Sequence, residues 1–372
     1  MRNALAGSGS ERLPQLTSLR FFAAFWVLGF HTIPRAGTPA VWSAFWNVGW
    51  LGVTFFFVLS GFILTYTYGS SSGIFDRRRF WLARFARVYP LYVFAMLFAV
   101  PQLVHSVRHP NAITDVVDGH RLAGVLLSSV AMLQAWFGNF VCIWNCPSWS
   151  LSDEAFFYML FPLLVPLTVR PRGRVIVLVV ALGAMGLIAA GATGESGSQL
   201  LAEAAGASLN PLARLPEFLL GVWLGGTYLA RRTAWRPAGL SAPIITFAIV
   251  VLAMWAGLHT TFRTPHLVAA PLFAALVFTV ASSPSPQGGI LAAAPLVLLG
   301  EASYALYMLH GPLHGYMLAA LHRVFPSASA WMVFIVYVIT ALAFAVASFL
   351  LLERPMRVWL RARFSSSPRG IA

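Results

Sequence analysis

Residues 48–68 read VGWLGVTFFFVLSGFILTYTY, 21 residues without a charge. As a helix this stretch rises about 30 Å, the thickness of a bilayer's hydrocarbon core. Its middle carries Ser60 and Gly61, small residues that let a neighbouring helix approach closely. Working outward, apolar runs recur at 17–34, 88–107, 121–137, 149–168, 174–193, 214–230, 242–258, 266–283, 297–321 and 330–352. The 372 residues are 59% hydrophobic and 10% charged. A soluble domain is nearer half apolar and a quarter charged, so an ordinary water-soluble enzyme, a disordered chain and a disulfide scaffold are all excluded.

The formal net charge is +14, with 25 basic residues against 11 acidic ones. Every basic residue is Arg, which a GC-rich coding sequence explains without any function. Nucleic acid is not the expected partner, because the Arg residues stand between apolar runs instead of on one soluble face. Their placement reports topology, since short cytoplasmic loops are rich in Arg. Of the 25, 19 fall in five clusters: near the N-terminus (Arg2, Arg12, Arg20), at 77–87, at 170–174, at 231–236 and from Arg354 to Arg369. Keeping all five on one side requires an even number of crossings between neighbouring clusters. Three runs lie between Arg87 and Arg170, so one fails to cross. The weakest is 121–137, short and ending in the polar stretch 138–147.

The expected fold is therefore all-α: a polytopic membrane protein with about ten transmembrane helices and one re-entrant or interfacial helix. It is expected as one domain over 1–372 in the inner (cytoplasmic) membrane, with cytoplasmic tails at 1–16 and 356–372. Cys142 and Cys146 are too few for a disulfide framework. They fall in a loop expected outside, where a disulfide and two free thiols both stay open.

The polar residues inside apolar runs are candidates for chemistry, because an ionisable group in a span is costly. The first run, LTSLRFFAAFWVLGFHTIP at 16–34, carries Arg20 and His31, roughly 16 Å apart along a helix. Imidazole is the side chain suited to general base work near neutral pH; a packing or interfacial histidine is the plainer reading. In DRRRFWLARFARVYP at 76–90, Arg77, Arg84 and Arg87 repeat at helical spacing. They anchor topology and also offer guanidinium forks for phosphates. The stretch PSWSLSDE at 147–154 holds Trp149, Ser150, Ser152, Asp153 and Glu154. Ser150 or Ser152 is expected to cap the following helix; Asp153 and Glu154 lie in its first turn about 100° apart, and one of the two must face inward. Arg214 and Glu217 stand at i, i+3, an expected internal ion pair. Ser303, Tyr304, Tyr307 and His310 form one polar stripe, expected to line a cavity or face another helix, as are Ser60, Trp149, Ser150, Arg214 and Glu217. At the far end, Glu353 and Arg354 before Pro355 suggest a helix stop with a local ion pair. No metal is expected, because His and acidic residues are scattered without ligand-pair spacing.

Taken in order, Arg20-x10-His31, FFFVLSGFIL at 55–64, RFWLARFARVYP at 79–90, PSWSLSDE, RLPEFLLG at 214–221, SYALYMLH at 303–310 and ERP at 353–355 resemble the acyltransferase family 3 integral membrane proteins. That family includes polysaccharide, lipopolysaccharide and macrolide O-acyltransferases. The resemblance spans Leu16 to Pro355 and implies ten spans, an acyl-CoA donor (acetyl-CoA or similar) at the cytoplasmic side and a hydroxylated acceptor. By the same resemblance His31 is the essential histidine, Arg20 its companion, Arg84 and Arg87 the Arg-rich motif, and Glu154 the acid. Many members carry an SGNH esterase-like domain, and none is expected here.

The expectation is a membrane O-acyltransferase. Arg20, Arg77, Arg84 and Arg87 bind acyl-CoA, His31 is the base and Glu154 supports it. Membrane lipids and the acceptor are the remaining partners. A transporter or flippase of a glycosylated lipid or antibiotic is the alternative from another class.

Overall fold

The computed structural model describes residues 13–69, 75–108, 119–193, 209–231, 241–258, 265–282 and 289–365. Among them every regular element is helical. The α-helices, in chain order, are α1 (Pro14–Thr32), α2 (Ala40–Asn47), α3 (Leu51–Tyr68), α4 (Arg77–Phe98), α5 (Val100–Arg108), α6 (Gly119–Val130), α7 (Trp149–Val169) and α8 (Pro171–Thr193). They continue with α9 (Pro211–Arg231), α10 (Ser241–Leu258), α11 (Pro265–Ser282), α12 (Ala294–Glu301), α13 (Ser303–Val324), α14 (Ala330–Ser348) and α15 (Arg354–Ser365). A π-helical segment, Phe349–Glu353, joins the last two.

Each of the ten runs expected to cross holds a long helix. Five stretches are long and apolar enough to span by length and composition, and the pair α4–α5, bent by 46°, makes a sixth. The helices outside that count include α1, α9 and α13, which carry Arg20 and His31, Arg214 and Glu217, and the His310 stripe. Their polar content removes them, as residues with chemistry inside a span would. Long helices also turn large apolar side chains outward, such as Val175, Val179 and Leu187 on α8 and Ile335 and Ile339 on α14. Lipid, not water, is the medium that accepts such faces, so the chain is a multi-pass membrane protein. The run 121–137 differs from the rest. Helix α6 has 12 residues, about 18 Å, too short to cross. It stops where Met132 turns to φ 56°, outside the right-handed helical region.

The chain divides into two units, Met1–Phe75 with Asp153–Gly300, and Asp76–Ser152 with Glu301–Ala372. In the first, α9 lies along α3. Their backbones touch: a Cβ on Gly61 would collide with Phe218 O, and one on Gly221 with Val58 O. Both positions require a residue without a side chain. α1, α3, α8, α9, α10 and α11 enclose a core that includes Leu16, Leu51, Phe55, Phe62, Leu220, Phe273 and Val277. Ser18 donates to Leu291 O at 2.6 Å, fastening α1 to the segment Ile290–Ala292.

In the second unit, α13 packs on α14 and α4, and α15 on α4. Helix α4 begins at Arg77 and runs unbroken through Pro90, so the Arg-rich motif and the apolar run are one rod. Asp76 caps it by accepting from Arg79 N at 2.9 Å. Cys142 and Cys146 are joined in a disulfide, which decides the question the sequence left open.

Two local expectations are corrected. α7 starts at Trp149, after a 3-10 turn at Cys146–Ser148, so Ser150 and Ser152 lie inside the helix and cap nothing. Pro355 does not stop the last helix: the chain stays helical from α14 through the π turn into α15, and Pro355 lies just after that turn.

Candidate active site

In the first unit, His31 sits one residue from the end of α1 and is exposed. Its Nδ1 lies 3.0 Å from Val27 O, one turn back. A carbonyl oxygen only accepts, so this contact puts the proton on Nδ1 and leaves Nε2 of the neutral ring as the basic nitrogen. Phe30 meets the ring edge-on at 4.7 Å between centroids. Arg20 is half-buried eleven residues earlier on the same helix.

Glu154 is half-buried and accepts a 2.9 Å hydrogen bond from Tyr158 Oη, one turn along α7. On Nδ1 of His31, the place a triad carboxylate would take is held by the Val27 carbonyl.

A second group of charges gathers where α3, α7, α9 and α11 meet. Arg214 and Glu217 form the expected pair at 2.9 Å, each 1% exposed. Arg214 Nη2 donates to Thr54 Oγ1 at 3.0 Å, and its guanidinium stands 5.4 Å from the centre of the Phe57 ring. Asp153 is fully buried, and neither of its carboxylate oxygens has a hydrogen-bond partner among the described residues. It lies within electrostatic reach of Arg214 and Glu217. His266, buried and 5.9 Å from the Trp50 ring, is in reach of Arg214 too. Asp153, Thr54 and His266 were not singled out from the sequence as site residues. Glu154 and Asp153 differ by 100° on the helix, and it is Asp153 that points fully inward. Ser60 is half-buried beside Gly61.

In the second unit, Arg77 is exposed while Arg84 and Arg87 are half-buried, one turn apart on α4. Arg84 Cζ lies 5.9 Å from the Phe80 ring. The α13 stripe faces protein. Tyr304 Oη donates to Val88 O at 2.9 Å, and Tyr307 Oη to Pro147 O at 2.9 Å. Ser150 Oγ lies 2.8 Å from Tyr307 Oη. Ser303 and His310 are buried; His310 Nδ1 is 2.6 Å from Tyr307 O, and Tyr337 Oη donates to His310 O at 2.9 Å. Asn145 Nδ2 donates to Met308 O at 2.9 Å, tying the disulfide loop to α13. Trp149 is 9% exposed. These bonds hold the start of α7 in place, a positioning role. At the end of α14 the expected Glu353–Arg354 pair is replaced: Glu353 Oε1 is 4.0 Å from Arg357 Nη1, and Arg354 is exposed.

Residues 13–350 match the family model described as "Acyltransferase domain", acyltransferase family 3. The chain belongs to this family. It is an acyltransferase, and the transporter alternative falls with that membership. Among curated relatives, "Acyltransferase MdmB" of Streptomyces mycarofaciens is 30% identical over 80% of this chain and 78% of that protein. "Putative peptidoglycan O-acetyltransferase YrhL" of Bacillus subtilis is 26% identical over 81% of this chain and 48% of its own length. "O-acetyltransferase OatA" of Staphylococcus aureus is likewise 26% identical, over 81% of this chain and 50% of that protein. The acyltransferase chain thus spans about half the length of these two. No solved structure is significantly similar to it.

Proposed function

We propose that this acyltransferase moves an acyl group, acetyl in the simplest case, from acyl-CoA to a hydroxyl on a glycan, glycolipid or glycosylated small molecule such as a macrolide. The observation that carries the reading is the 3.0 Å contact of His31 Nδ1 with Val27 O, which assigns the proton to Nδ1 and leaves Nε2 basic. Nε2 takes the proton as the acceptor oxygen attacks the thioester carbonyl carbon. The C–S bond then breaks, and the imidazolium returns the proton to the departing thiolate. Val27 O orients the ring, and Glu154 balances the charge the ring gains. Arg20, Arg77, Arg84 and Arg87 hold the phosphates of CoA, guanidinium being suited to bidentate phosphate contacts. The reading places the enzyme in the cytoplasmic membrane with ten spans and both termini cytoplasmic.

The names of the relatives support an O-acyl acceptor, one of them a putative peptidoglycan O-acetyltransferase. The test is purified protein in detergent with acetyl-CoA and a panel of hydroxylated acceptors, read as free thiol release. Thiol release that depends on one acceptor class is expected. No CoA binding and no thiol release with any acceptor would overturn the reading.

A further inference from the structure

The family match ends at residue 350, and helix α15 lies beyond it, at Arg354–Ser365. It packs against α4, the helix of the Arg-rich motif. The contact sets the Arg-rich motif beside arginines near the C-terminal end. Arg357, half-buried on α15, is within electrostatic reach of Arg87 on α4, and also of Glu353, Glu301 and Arg354. Its Nη1 is 4.0 Å from Glu353 Oε1, and its Cζ is 6.0 Å from the Phe349 ring. Arg84 stands one turn from Arg87 on the same rod.

Packing helices so that like charges approach is unfavourable unless something offsets it. Here two carboxylates, Glu353 and Glu301, stand against Arg87, Arg354 and Arg357. A surface helix free to rotate would turn Arg357 to water. Instead its guanidinium lies over the Phe349 ring and within ion-pair range of the Glu353 carboxylate. On two packed helices this sets one guanidinium within electrostatic reach of another, an arrangement suited to a phosphate bridging both.

We propose that Arg357 of α15 shares the donor's nucleotide phosphates with Arg87 of α4, so that the C-terminal helix is part of the donor site. This rests on the acyl-CoA reading above. Arg354, exposed at the start of α15, widens the same positive field. Glu353 is the positioning residue that keeps Arg357 from swinging away.

The test uses the full-length enzyme in uncharged detergent, with donor and acceptor varied separately. Arg357→Ala is expected to raise the donor KM about tenfold, the scale of one lost charged contact, leaving kcat and acceptor KM within about twofold. Arg357→Lys restores part of that loss, because a fork becomes a point charge. Inhibition by adenosine 3′,5′-diphosphate weakens by the same factor in Arg357→Ala, since the inhibitor shares the phosphates and lacks the acyl arm. A raised donor KM in Arg87→Ala with a wild-type value in both Arg357 variants would overturn the inference and leave the donor reading standing. Wild-type donor KM in Arg87→Ala and in Arg357→Ala would overturn both. An effect of Arg357→Ala that appears only in bilayers containing phosphatidylglycerol would assign the arginine to a lipid headgroup and overturn the inference.

Discussion

Removing the Arg214 guanidinium should damage the protein more than removing its ion-pair partner. Arg214→Met takes away a cation that faces two buried carboxylates, Glu217 at 2.9 Å and Asp153 within electrostatic reach. Breaking a buried pair by deleting one member costs about 3–5 kcal/mol, because a charge is left uncompensated. Glu217→Leu also breaks the pair, yet Arg214 keeps its bond to Thr54 at 3.0 Å and still has Asp153 in reach. Its loss is then closer to one charged hydrogen bond, about 1.5–3 kcal/mol. Asp153→Leu removes a carboxylate without a hydrogen-bond partner, replaces it with an apolar group of similar size, and should cost under about 1 kcal/mol. The assay is thermal unfolding of the three variants in one detergent at one scan rate. At about 2–4 °C per kcal/mol, Arg214→Met should melt about 5 °C below Glu217→Leu. Equal melting points for Arg214→Met and Glu217→Leu would refute the reading of Asp153 as a second counter-ion of Arg214.

Three further outcomes follow from other parts of the fold. Gly61→Leu should cost more than about 2 kcal/mol, because its side chain meets the Phe218 carbonyl and backbone cannot yield as a side chain does; unfolding midpoints check this, and wild-type stability would mean that α3 and α9 are not in backbone contact. Alkylation followed by mass measurement should modify Cys142 and Cys146 only after reduction, whereas labelling of the unreduced protein would deny the disulfide. Transfer should fall on acidification, since a protonated imidazole cannot accept the hydroxyl proton, and the same fall in the residual activity of His31→Ala would show that another group titrates.

The parts of this protein legible in its sequence are those set by length and local spacing. A charge-free run such as 48–68 has one use, and Arg214 and Glu217 at i, i+3 meet on any helix. Gly61 in the middle of a span signalled a close approach, and Gly221 of α9 supplies the other side. What stayed hidden depends on rotation or on distant partners. Helix α7 is apolar nearly all round, so no stripe tells which of Asp153 and Glu154 points inward. The serines before them look like caps until the 3-10 turn at Cys146–Ser148 moves the helix start to Trp149. Glu353 pairs not with its neighbour Arg354 but with Arg357 at i+4, the spacing at which side chains on a helix meet. Thr54 and His266 join Arg214 across long stretches of chain that no local pattern connects.

The central claim is that His31 does the proton transfer, and the most direct measurement compares His31→Ala with wild type in two assays on the same preparation. One is binding of CoA; the other is acyl transfer to the acceptor at neutral pH. The account predicts unchanged CoA affinity with transfer reduced about 100-fold or more, the usual scale for a positioned base. Transfer within a few-fold of wild type would contradict it.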